Sequence, residues 1–63
     1  MKKKELKNLA EKIVKFERII QTSEDKQEIR QAEEEIMKLT KNVNSLDDMV
    51  AIDELVIALL AKN

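Results

Sequence analysis

Residues 45–63 read SLDDMVAIDELVIALLAKN. Ser45 is a good N-cap, and Asp48 stands three residues on, the spacing of a reciprocal cap. From Leu46 to about Lys62 no Gly or Pro intervenes, and apolar residues dominate, so the segment is expected to be a helix. At about 100° per residue, Asp47, Glu54 and Lys62, with Ala51, Ala58 and Ala61, fill one flank about 100° wide. Leu46, Met49, Val50, Ile52, Leu55, Val56, Ile57, Leu59 and Leu60 spread over roughly 220° of the remainder. A surface helix in a small domain needs to bury little more than about 100° of its circumference. The stretch therefore carries more apolar surface than one neighbouring helix can cover.

Two further helices precede it. From about Lys3 to Gln21, Leu6, Leu9, Ile13, Phe16 and Ile20 step alternately by three and four, and Ala10, Val14 and Ile19 widen the stripe. From about Glu24 to Asn42 the stripe is Ile29, Ala32, Ile36, Leu39 and Val43, with Ala32 small enough for a close helix contact. Thr22 is the expected cap of the second helix, paired with Asp25, and Ser23 is the alternative. Asn42 or Asn44 suits a left-handed residue at its end. Connections this short make neighbours antiparallel. The expected fold is all-α, a single domain over 1–63 built as a three-helix up-down-up bundle and completed by dimerisation.

Composition narrows the functional classes. The 63 residues contain no Cys, His, Gly or Pro, and Phe16 is the one aromatic residue. Chains this short usually rely on a disulfide, a metal or a partner. Thiolate and imidazole chemistry is absent, and no loop has the alternating acidic spacing of a calcium site. Neither a metal nor a cofactor is expected, which leaves regular helix packing or oligomerisation. Hydrophobic residues at 43% and charged residues at 40% fit a helical bundle rather than a disordered chain. MKKKELKNLAEK begins basic but runs into polar residues, unlike an export signal. The apolar run of the last helix is about a dozen residues and contains Asp53 and Glu54, against the roughly 20 that a membrane span requires. A cytoplasmic protein is expected.

Charge is segregated. Residues 1–22 hold seven Lys/Arg and three Asp/Glu, whereas residues 46–63 hold one Lys and four Asp/Glu. Parallel placement of the first and third helices would bring Lys2, Lys3 and Lys4 towards Asp47 and Asp48, with Lys38 and Lys41 at the same end. Exposed pairs of this kind contribute about 0–1 kcal/mol each but help to select orientation.

Met49, Ile52, Leu55, Val56 and Leu59 are the expected interface, because a monomer is expected to leave several of them in water, at about 1.5–3 kcal/mol each. Two carboxylates, Asp53 and Glu17, fall within apolar stripes. Two structural readings apply: a buried ion pair that fixes register, or a seam edge where the carboxylate reaches water. Lys12 or Lys38 lies at a suitable height to answer Asp53. The rival reading is acid–base catalysis, which two carboxylates without His, Cys or Tyr support poorly. Ser23 and Ser45 lack an adjacent base and read as caps. The expected function is a non-catalytic interaction module that forms a homo-oligomer, a dimer before a tetramer, through the third helix. Another protein partner is the lesser alternative. Nucleic-acid regulation through the Lys-rich N-terminus is disfavoured by a net charge of −1 and by the presence of only two arginines, Arg18 and Arg30.

Overall fold

The computed structural model describes residues 2–62. It contains three helices: α1 (Lys3–Thr22), α2 (Lys26–Thr40) and α3 (Leu46–Ala61). No strand occurs among the described residues.

Local chemistry sets the helix ends. Ser45 is extended at φ −97° and ψ 130°, and its Oγ accepts from the Asp48 N–H at 3.4 Å. Asp47 and Asp48 then lie in the first turn of α3, where carboxylates suit the helix dipole. The start of α2 differs from expectation. Thr22 closes α1 instead of capping α2, its hydroxyl donating to the Arg18 carbonyl at 2.7 Å. Asp25 caps α2, its Oδ1 accepting from the Gln27 N–H at 2.9 Å, and the Ser23 Oγ accepts from the Asp25 N–H at 3.2 Å. Glu24 consequently precedes the helix. At the other end, the Thr40 hydroxyl donates to the carbonyls of Ile36 at 3.0 Å and Met37 at 3.2 Å. The Val43 N–H donates to the Thr40 carbonyl at 3.0 Å, so α2 closes through a tight turn. Neither Asn42 nor Asn44 is left-handed, because no described residue has positive φ.

Packing is organised by α1. It lies against α2 and α3 to a similar extent, whereas α2 and α3 scarcely touch. The Cα positions span 34 × 26 × 15 Å. Side chains of all three helices nevertheless meet: Ile13 of α1, Ile36 and Thr40 of α2, and Ile52 and Val56 of α3 line one recess. Leu6, Ala10, Ile13 and Val14 are all buried, a face broad enough to take one helix on each side.

The main core is Leu6, Ala10, Ile13, Val14, Val43, Ile52 and Val56, with Leu9, Ile36, Leu39, Leu55, Leu59 and Leu60 half-buried against it. Ala10 is 0% exposed and Ala32 3%. Small residues at these positions let helices approach closely, as the sequence implied for Ala32.

Two stability predictions follow from the packing and the caps. Replacing Ala10 with Leu overpacks the central contact and costs about 1–3 kcal/mol in urea unfolding. A neutral result would mean that α3 does not sit on α1 at this point. Asp25→Ala and Ser45→Ala each cost about 1 kcal/mol by the same assay, whereas Thr22→Ala costs less, since Thr22 caps no helix start.

Candidate functional site

The residues expected at an interface divide between two environments. Ile52 is 3% exposed and Val56 9%, because α3 turns both onto Leu6, Ala10 and Ile13 of α1. They belong to the chain's own core and do not face a second chain. Leu55 and Leu59 are half-buried, and Met49 is exposed. The apolar residues left in water are different ones. Leu46 is 76% exposed, Ile57 66%, Val50 49% and Met49 46%.

Helical geometry explains this division. Ile52 and Val56 are four apart and point one way. Leu46, Val50 and Ile57, spaced by four and seven, form a ridge about 120° away around the helix. Sequence reasoning found the surplus apolar surface of α3 but not its direction. Position along the helix fixes which residues share a side. Only the neighbouring helix fixes which side is buried. The alternation of Ile52 and Val56 with Leu59 at three- and four-residue steps was the available signal, since it continues the stripe pattern of α1 and α2. α1 leaves no large apolar residue exposed among the described residues, and α2 leaves only Met37.

The ridge has acidic edges. Asp53 lies on one side of it on the helical wheel, and Glu54 and Asp47 lie on the other. Lys62 follows at the C-terminal end of the helix.

The two candidate carboxylates lie outside the dry core. Asp53 is exposed and Glu17 half-buried, and no described charged residue is buried. They do come together at one place. Both line a recess of about 120 Å³ whose other walls include Ile13, Ile36, Val43, Ile52 and Val56. Asp53 projects past the core because α3 turns Ile52 and Val56 inward, which carries residue 53 to the rim. Lys38, one expected partner for Asp53, pairs instead with Glu35 at 3.6 Å on its own helix. An exposed contact of that kind contributes at most a few tenths of a kcal/mol. The arrangement offers two carboxylates at a wet rim beside the Thr40 hydroxyl, which is committed to the Ile36 and Met37 carbonyls, and no basic side chain is among the recess residues.

A larger groove lies between α1 and α3. It measures about 680 Å³ and is lined by Lys3, Lys4, Leu6, Lys7, Ala51, Glu54 and Leu55. Its floor is aliphatic. Three lysines of α1 form one rim, and Glu54 of α3 belongs to the other. The lysine-rich start of α1 thus lies beside the middle of α3, at Ala51, Glu54 and Leu55.

Among the described residues, no cluster of three or more His, Cys, Asp or Glu is placed to hold a metal ion. No helix of the described residues is long and apolar enough to cross a membrane. No protein-family description, curated protein or solved structure matches the chain.

Because Asp53 is exposed, Asp53→Asn is expected to shift unfolding free energy by no more than about 0.5 kcal/mol. Loss of a partner from a buried ion pair would cost about 3–5 kcal/mol instead. Chemical denaturation of the variant separates the two.

Proposed function

We propose that the chain is a non-catalytic helical interaction module that self-associates through α3. The observation that carries this reading is the exposure of Leu46, Met49, Val50 and Ile57 on one helix of an otherwise well-patterned domain. Large aliphatic side chains left in water forfeit about 1.5–3 kcal/mol each relative to burial. Contiguous exposed apolar surface of this kind marks a contact site. A second copy is the simplest cover, since two-fold pairing is the commonest closed arrangement. The packing adds to the argument. α3 packs mainly on α1 and scarcely on α2, so much of its apolar circumference is left for another neighbour. The fold assigned to the protomer is the up-down-up order of the three helices, completed by the partner.

The acidic recess supports catalysis weakly. Acid–base chemistry needs a group held in a matched protonation state beside a reacting atom, and Asp53 is in open contact with water. A second reading rests on the lysines. Lys3, Lys4 and Lys7 line one groove and present three positive charges together, which suits phosphate contacts of a nucleic acid. Its mark would be affinity that falls steeply with salt and disappears when the lysines are neutralised.

Sedimentation velocity tests the main reading. The parent chain is expected at the mass of two chains. Leu46→Glu with Ile57→Glu is expected at or near the mass of one, with helical circular dichroism retained because both positions are exposed. A parent that stays at one chain at high concentration contradicts the proposal.

A further inference from the structure

We infer that the groove between α1 and α3 is a contact between two copies of the chain, related by a two-fold axis. This rests on the self-association reading and deepens it by naming the surface that sets the pairing. The groove has charged rims of opposite sign. Lys3, Lys4 and Lys7 stand on the α1 side and Glu54 on the α3 side, with Leu6, Ala51 and Leu55 between them. Asp47, two helical turns before Glu54, extends the acidic rim along the same flank. Among the described residues, Lys3, Lys4, Lys7 and Glu54 make no ion pair or side-chain hydrogen bond within the chain. Both rims therefore remain available to something outside it.

The arrangement of charge selects the occupant. A uniformly acidic helix in the groove would meet the lysines but also face Glu54. A uniformly basic one would meet Glu54 and be repelled by three lysines. The groove is matched by an apolar strip that carries the same two rims in reverse order. A two-fold rotation of the groove onto itself supplies that match: the lysine rim of each copy comes over the acidic rim of the other, and the aliphatic floors meet. Ala51 in the floor, and Ala58 seven residues on along the same flank, are small enough for the two α3 helices to approach closely. The ridge of Leu46, Val50 and Ile57 lies on a different flank of α3, so its contribution can be separated from that of the groove.

Charge reversal in trans is the test. Lys7→Glu and Glu54→Lys are made in separate chains, with circular dichroism confirming that each remains helical. In a two-fold pair, each variant alone sets like charges across both symmetry-related contacts. Self-association is expected to weaken by about tenfold or more in each, since 1.4 kcal/mol corresponds to a tenfold change. Mixing the two chains is expected to restore association as a heterodimer, because residue 7 of either chain then faces residue 54 of opposite charge in the other. Restoration should fade as salt is raised. Association that is unchanged in both variants, while Leu46→Glu with Ile57→Glu abolishes it, overturns the groove and leaves self-association standing. Weakening without restoration on mixing overturns the two-fold arrangement. A parent chain that is monomeric throughout removes both readings.

Discussion

The structure depends on the breadth of the apolar face of α1. Most helices in small domains bury one narrow stripe. α1 buries Leu6, Ala10, Ile13 and Val14 together, and these positions spread over more of the helix than a two-per-heptad seam would. Ala10, fully buried, removes the bulk that would hold a neighbour away. One helix can then serve two partners.

The remaining features follow from that geometry. α3 packs mainly on α1, and its turn onto α1 is fixed by Ile52 and Val56. The ridge of Leu46, Val50 and Ile57 is then left facing away. Asp53 is carried to the rim of a recess, and the lysine-rich start of α1 forms one wall of a groove. The caps matter to the same end. Asp25 and Ser45 fix where α2 and α3 begin.

Much of the fold was legible in the sequence. The stripes of α1 and α2 are strongly one-sided and located both helices. Ser45 placed the start of α3 because a serine after NVN, with an acidic residue three further on, has few other roles. The start of α2 was misplaced because Thr22, Ser23 and Asp25 all make good caps. The competition was settled by Thr22 bonding back into α1, which no local pattern announces. The direction in which α3 faces was not legible for a related reason. Periodicity reveals how wide an apolar face is but not how a neighbour divides it. For α3, which is apolar nearly all round, periodicity carries least information about direction, and Ile52 and Val56 were assigned outward when they point inward. Glu17 and Asp53 illustrate the same limit. A carboxylate inside an apolar arc reads as buried on a wheel, but it reaches water where the neighbouring helix ends its coverage.

α1 supports the other two helices within the chain, and we propose that α3 depends on a second chain for the rest of its cover. Amide hydrogen exchange followed by mass spectrometry, at protein concentrations well below and well above the association midpoint, addresses it most directly. The account predicts slow exchange in the middle of α1 at both concentrations. It predicts that protection across Val50–Leu60 rises with concentration, whereas protection across Lys26–Thr40 stays nearly constant. Protection of α3 that is equal at all concentrations, or α2 responding as strongly as α3, would contradict it.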